Sequence, residues 1–363
     1  MLQQGQGIGR YIDRLISWLL KLETEHVWVI FLRDENWDLV PDHPQIEKVK
    51  ANISWYSWQE QIYLPGVINR AHVDLMHFPQ MNVPVFCSVP YVVTIHDLIL
   101  VKHPASATSA ASTRGAWHHS IKYAAYRLNL FLITKRSKKI ITVCQYVKKD
   151  IINLLHVAND RVVVTYEAAE EPASIAMSVE LPSTVKRPYI FCAGNSFPHK
   201  NLDVLLTLAQ RLKEVASDLS IVLVGFDDFF AARLRQRIID LGLTDRMQHL
   251  GCVSEELLDA LFRQASAYVF PSFEEGFGFP GLEAMWRDVP VVASNSSCLP
   301  EIFGDAAVYF DPQSSEQIFD AVMKVTNDHD LRRALIDRGR IRVRQFSWER
   351  CARETLEVYL KAV

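Results

Sequence analysis

Two doubly wound α/β domains, each built on a parallel sheet, are the architecture this sequence predicts. Three observations lead there. Short β-branched or aromatic runs alternate with helix-period segments from end to end, the pattern of strands buried on both faces between helices. That order occurs twice. The length, 363 residues, exceeds one ordinary core and suits two domains of ~100–200 residues each.

Taken in order, the first series of strands is expected at 26–32 (HVWVIFL), 73–77 (VDLMH), 91–95 (YVVTI), 139–143 (KIITV) and 162–165 (VVVT). A second series follows at 189–193 (YIFCA), 220–224 (SIVLV), 267–270 (AYVF), 290–293 (PVVA) and 307–310 (AVYF). Helix-period segments separate these, among them 201–215, 228–241, 255–265 and 315–326. Between the series, 167–188 is rich in Glu, Pro, Ala and Ser and carries no strong period, so it reads as a connection. The expected divisions are a first domain at 1–170, a linker at 171–186, a second domain at 187–346 and a terminal helix at 347–363.

Composition narrows the function classes. Apolar residues make up 49% and charged ones 22%, which excludes an intrinsically disordered chain. A net charge of −3 gives no global field to recruit nucleic acid. No apolar run approaches the ~18–20 residues of a membrane span, and MLQQGQGIGRYI lacks the basic-then-apolar order of a signal peptide. A cytoplasmic chain is the expectation. The six cysteines are widely spaced, with no C-x-x-C and no H-E-x-x-H, so neither a disulfide framework nor a metal site is indicated. Charge is uneven locally: residues 101–150 hold ten Lys/Arg, from Lys102 and Arg114 to Lys149, against the single acid Asp150. This is either a solvated helix face or, with Trp117, Tyr123, Tyr126 and Phe131 interleaved, a peripheral contact for an anionic membrane.

Parallel α/β sheets bind ligands beyond the carboxyl ends of their strands, and the informative residues follow strands. After 189–193 comes Gly194-Asn195-Ser196-Phe197-Pro198-His199-Lys200-Asn201. A glycine turn with a lysine near a helix start suits a diphosphate, although a solvated lysine reads the same way. After 267–270 comes Pro271-Ser272-Phe273-Glu274-Glu275-Gly276-Phe277-Gly278-Phe279-Pro280-Gly281-Leu282-Glu283. Its glycines are read as letting amides approach a ligand, and the helix starting near Pro280 as pointing its N-terminus at an anion. Glu275 and Glu283 can then face one pocket and accept hydrogen bonds from sugar hydroxyls.

The segment Glu275–Glu283 resembles the E-x7-E motif of the retaining GT-B glycosyltransferases, specifically family GT4. Gly7-Ile8-Gly9-Arg10-Tyr11 resembles that family's N-terminal glycine loop, and Thr94-Ile95-His96-Asp97-Leu98 with His103-Pro104 its T-x-H-D-L…H-P stretch. Asn195–Asn201 resembles its E-P-R-K-N segment, Leu299-Pro300-Glu301 a later loop, and Phe346-Ser347-Trp348 the start of its last helix. The resemblance implies two Rossmann-like domains facing a cleft, with a C-terminal helix crossing back to the first. Lys200 would neutralise the donor diphosphate, with Gly194 and His199 beside it. Glu283 would hold the nucleotide ribose, Glu275 the transferred sugar, and amides of Phe277, Gly278, Phe279, Gly281 and Leu282 the phosphate. His96 would be catalytic alongside Lys200 and Glu275, and Gly7, Gly9 and Arg10 would form an acceptor-side loop.

The implied reaction moves a hexose from a nucleotide sugar to a glycan or lipid-linked saccharide with retained configuration. No metal and no permanently bound cofactor is implied. The pattern is most similar to bacterial mannosyltransferases of polysaccharide and lipopolysaccharide assembly, which puts GDP-mannose first and UDP-glucose or dTDP-rhamnose behind. A nucleotide-sugar epimerase and a non-catalytic partner subunit are the alternatives. A dinucleotide oxidoreductase is disfavoured, because Gly5-x-Gly7-x-Gly9 has no preceding strand. Three departures stand out. His199 replaces the family's arginine, so diphosphate binding is expected to weaken above the histidine's pKa. Cys144 and Gln145 replace a serine and a glutamate. The family's strand before the glycine loop is missing, so the expectation is an incomplete N-terminus.

Overall fold

The structure, a computed structural model, describes residues 7–22, 25–55, 57–104, 116–172 and 179–363, without the side chains of 116–122. Arg114 and the side chains of Trp117 and Lys122 therefore lie outside the described residues. In chain order the first half holds α1 (Gly7–Leu19), β1 (Trp28–Leu32), β2 (Ile46–Lys50), α2 (Trp58–Arg70), β3 (Met76–Phe78), β4 (Tyr91–Ile95), α3 (Ile99–Lys102), α4 (Ala116–Arg136), β5 (Lys139–Thr142), α5 (Gln145–Leu155) and β6 (Val162–Val164). The second half continues with β7 (Tyr189–Ala193), α6 (Asp203–Glu214), β8 (Ser220–Val224), α7 (Phe229–Asp240), β9 (Met247–His249), α8 (Glu255–Arg263) and β10 (Ala267–Phe270). It ends with α9 (Phe279–Trp286), β11 (Val291–Ser294), α10 (Leu299–Phe303), β12 (Ala307–Phe310), α11 (Ser315–Asn327), α12 (His329–Val343) and α13 (Trp348–Leu360).

Contacts divide the described residues into two units, each a parallel α/β body. The first comprises 7–98, 116–167 and 347–363; the second comprises 99–104 and 168–346. Among the described residues the second unit holds six parallel strands in the order β12-β11-β10-β7-β8-β9. Its first strand, β7, lies mid-sheet and the order reverses beside it, which is the doubly wound arrangement. Pairings such as Ala193↔Val224 and Phe270↔Ala293 bring the carboxyl ends of β7, β8, β10 and β11 to one edge. Every residue of β8, β10 and β11 is buried. Leu205, Leu208 and Leu212 of α6 and Ile318, Val322 and Val325 of α11 join the core on the sheet. Serine side chains fix several helix starts: Ser254 and Ser314 accept the third-residue N–H of α8 and α11, caps worth ~1 kcal/mol each.

The first unit is split. β1 and β2 form a two-stranded parallel sheet, while β3-β4-β5-β6 form a separate four-stranded one. The terminal helix α13 belongs to this unit, starts on the Ser347 cap, and buries Trp348, Cys351 and Val358. Its Tyr359 hydroxyl lies 2.6 Å from Nδ1 of His77, whose Nε2 lies 2.8 Å from the Thr94 hydroxyl. Thr94 in turn lies 3.1 Å from the Tyr11 hydroxyl. One buried polar chain thus ties α13 to β3, β4 and α1.

One expectation changes here. Gly7, Gly9 and Arg10 are not a loop; they lie in the first turn of α1. Tyr11, Leu15 and Leu19, four apart, put one buried face of α1 against the unit, while Gly9 is buried on another side and Gly7 is exposed. At the head of α5, Cys144 takes the capping position, its sulfur accepting the Val147 N–H at 3.4 Å.

Candidate functional site

The second unit gathers most of the residues singled out from sequence. Where β7 ends, Gly194 adopts φ +144° and its N–H is held by Val224 O. A Cβ on Gly225 would stand 1.8 Å from Gly194 O, so this crossing of two backbones requires glycine. A turn of 3₁₀ helix then carries Pro198–Lys200. Asn201, in the left-handed region, donates to Pro271 O at 3.1 Å and Pro312 O at 2.8 Å. His199 O accepts from Phe273 N. The segment after β7 and the one after β10 are thereby laced into a single wall.

That lacing sets the central contact. Lys200 Nζ reaches both carboxylate oxygens of Glu275, at 2.7 and 2.9 Å. Lysine and glutamate side chains are 17% and 9% exposed, so the pair is shielded but open enough to meet a ligand. His199 is buried, and burial first, then the Lys200 charge, pulls its pKa down to about 4. This corrects the expectation from sequence. A histidine titrating near 4 is neutral at pH 7 and adds no cation to lose on raising the pH; Lys200 supplies the charge.

The glycines after β10 are explained by packing as much as by access. Gly278 caps α9 with φ +91°, a conformation costly for other residues. A Cβ on Gly281 would lie 2.2 Å from the Phe303 ring. Phe277 and Leu282 bury their side chains, Phe277 edge-on to Phe279 and Phe346. Glu283 is half-buried one turn into α9.

Several groups that fix this wall gave no signal in sequence. The Tyr268 hydroxyl donates to Ala193 O at 3.1 Å and lies 3.3 Å from Ala193 N, pinning the end of β7. Burial, then the Cys192 thiol, raises its pKa well above the phenol range, and the charges of Glu275 and Glu283 push the same way. Asp259 on α8 accepts from Arg263 and Arg287 at 2.7 Å each, and Arg287 donates back to Glu283 O. Burial alone would raise the Asp259 pKa, but the two guanidiniums win and hold it low. Beside Glu275, buried Glu274 binds Lys102 at 2.8 Å and stands 3.6 Å from His103. These partners lie up to 172 positions away in sequence, beyond the reach of any local pattern.

His96 belongs to the first unit, at the end of β4. Its Nε2 donates to Pro79 O at 2.9 Å, its Nδ1 lies 3.1 Å from Glu167, and the Tyr11 ring meets it edge-on at 4.8 Å. Burial is the largest single effect and disfavours the charged ring, yet Glu167, Pro79 O and the Asp97 charge together raise the pKa. Glu167 and Pro79 O thus favour the protonated ring without any change of partner.

A strand-end lysine thus stands paired with a carboxylate beside a glycine-capped helix on a doubly wound sheet. Residues 5–170 match the model for Glycosyltransferase Family 4, and residues 176–342 match that for Glycosyl transferases group 1. The chain belongs to these glycosyltransferases. It is 33% identical over 231 residues to O-antigen chain mannosyltransferase B of Escherichia coli, covering 61% of this chain and 60% of that protein. It is 27% identical to the O-antigen chain mannosyltransferase RfbU of Salmonella typhimurium, covering 75% of this chain and 73% of the relative. The chain thus spans three-fifths of the first of these relatives and somewhat more of the second. In fold it is similar to the sucrose-phosphate synthase of Thermosynechococcus elongatus, with a TM-score of 0.76 at 18% identity, covering 98% of this chain and 93% of the other.

Proposed function

We propose that this chain transfers a hexose, mannose first, from a nucleotide sugar to a glycan or lipid-linked saccharide with retained anomeric configuration. The observation that carries the reading is the shielded Lys200–Glu275 pair at the ends of β7 and β10, beside the N-terminus of α9. Breaking a sugar–phosphate bond leaves negative charge on the departing diphosphate. A lysine already oriented by its carboxylate, with helix-terminal amides nearby, meets that charge without reorganising. Glu275 then offers its lone pairs to sugar hydroxyls and Glu283 to those of the ribose. His199, neutral, contributes its backbone to the wall and leaves the charge to Lys200. His96, whose pKa Glu167 raises, is the catalytic histidine of this reading.

The mannosyltransferase names of both relatives support GDP-mannose as donor, ahead of UDP-glucose and dTDP-rhamnose. An apolar and basic strip on α4 supports an acceptor carried at an anionic lipid surface: Leu128 and Phe131 are 60% and 52% exposed, with Lys135 over the Phe131 ring.

The test is a thermal-shift screen against GDP-mannose, UDP-glucose and dTDP-rhamnose. At ~100-fold its Kd a donor stabilises the fold by about 2.7 kcal/mol. One donor is expected to stabilise the parent chain and to lose that effect in Glu283→Gln. Stabilisation by none, in protein shown to be folded, would overturn the reading.

A further inference from the structure

His96 is held on three sides, and the third leads away to the terminal helix. Pro79 O takes its Nε2 and Glu167 its Nδ1. Two such contacts fix the nitrogens, but a planar ring can still tilt about the line that joins them. The Tyr11 ring closes off that tilt. It stands at 85° to the imidazole with 4.8 Å between centres, the perpendicular geometry aromatic rings favour.

Tyr11 is wholly buried, and its own orientation is set by a hydrogen bond. Its hydroxyl lies 3.1 Å from that of Thr94, which stands two residues before His96 and so on the same side of the strand. The Thr94 hydroxyl also lies 2.8 Å from Nε2 of His77, whose Nδ1 lies 2.6 Å from the Tyr359 hydroxyl on α13. Burial first, then the His96 charge, holds the His77 pKa down to about 3. A neutral imidazole accepts at one nitrogen and donates at the other, so His77 joins two hydroxyls on different elements. The same helix meets the surroundings of His96 twice more. Trp348 lies 6.2 Å from the Tyr11 ring. The Cys351 thiol lies 3.9 Å from the Thr165 hydroxyl, two residues ahead of Glu167. Trp348, Cys351, Thr355 and Tyr359, spaced by three and four, share one face of α13.

We propose that Tyr359 is a positioning residue for His96: through His77 and Thr94 its hydroxyl pins the Tyr11 ring against the imidazole, so that α13 sets the tilt of the histidine. Tyr359 itself touches no reacting group. Its role rests on the reading of His96 as the catalytic histidine and adds what fixes that ring. The titratable groups around the imidazole include Glu167, Asp97, His77 and the Tyr11 phenol. Tyr359→Phe removes none of them, so any change it makes at His96 comes through orientation. A ring free to tilt meets Glu167 less well, and its titration moves to lower pH.

The test is ring-nitrogen NMR of His96, assigned by its loss in His96→Asn, with no donor present. The proteins are the parent chain, Tyr359→Phe, Tyr11→Phe, the double variant and Val358→Ala. Tyr359→Phe keeps the ring and deletes only the hydroxyl. Val358 is buried on the same helix, against Val92 and Ile141, and lies outside the hydrogen-bonded series; its truncation reads what loosening α13 does alone. Tyr359→Phe and Tyr11→Phe are each expected to change the acid constant of His96 by about threefold or more, toward lower pKa. The double variant should go no further than either, because both break one series. Val358→Ala should leave the titration in place. An unmoved His96 in Tyr359→Phe, an equal shift in Val358→Ala, or shifts that add in the double variant would each overturn the proposal. If Tyr11→Phe fails to fold, Tyr359→Phe against Val358→Ala still decides it. Release of GDP from GDP-mannose by the same proteins separates the two claims. A kcat that falls with His96 while the donor KM holds supports both, whereas a His96 that shifts while kcat holds upholds the positioning and overturns the catalytic reading.

Discussion

Gly281 shows how a single residue serves two masters. The sequence motif suggests a glycine that lets a ligand approach, whereas the structure places the Phe303 ring where its Cβ would go. Gly281→Ala should therefore destabilise the second unit by about 1–3 kcal/mol through overpacking, measurable as a lower urea midpoint with donor absent. An unchanged midpoint would return the glycine to ligand access alone. His96 is a second case at this scale. Its raised pKa depends on Glu167, so Glu167→Gln should move the imidazole titration to lower pH in ring-nitrogen NMR. The linkage has a definite sign: a folded pKa above the free value adds stability that is complete below about pH 6.5 and is lost as pH rises through the folded pKa. A titration unmoved by the substitution would mean that Glu167 does not set the charge. The pairing of Lys200 with Glu275 was illegible in sequence for a plain reason. The two lie 75 positions apart, and only the fold lays the end of β7 beside the end of β10. Both residues stood out singly; their contact did not.

At the scale of elements, strands buried on both faces were legible because their runs are unbroken, as in YVVTI and SIVLV. β2 escaped notice because IEKVK carries Glu47, Lys48 and Lys50, and only one neighbour, β1, pairs with it. Charged residues on such an edge keep it from pairing further, and they also erase the apolar signature. β9, three residues long, is too short for any period. The buried chain Tyr359–His77–Thr94–Tyr11 that binds α13 likewise draws on four separate stretches. Its histidine has a measurable consequence. Burial, with the nearby charge of His96, holds the His77 pKa down to about 3, and that of His199 is near 4. Unfolding exposes both to their ordinary value near 6.5, so the unfolded state binds more protons and stability falls as pH drops from about 6.5 toward 4. His77→Asn should be less stable at pH 7 but show a shallower loss of Tm on acidification. An equal slope in both proteins would contradict the assignment.

For the whole molecule, the doubly wound class was legible because the alternation of strand and helix extends through the full length, and the resemblance carried by Glu275–Glu283 and Thr94–Leu98 named the family. What the run of strands could not convey is how the first unit's strands divide between two sheets. Among the described residues the second unit forms one six-stranded sheet, while the first holds separate sheets of two and four strands. The central claim is that the second unit binds a nucleoside diphosphate through Lys200, held ready by Glu275. The most direct measurement is calorimetric titration of the chain and of Lys200→Met with GDP and with guanosine, repeated with the uridine pair if guanine does not bind. The account predicts that the diphosphate binds the parent chain far more tightly than the nucleoside. In Lys200→Met that preference should shrink by ten- to a hundredfold, about 1.4–2.8 kcal/mol. Equal diphosphate affinity in the two proteins, or no preference for diphosphate in the parent, would contradict it.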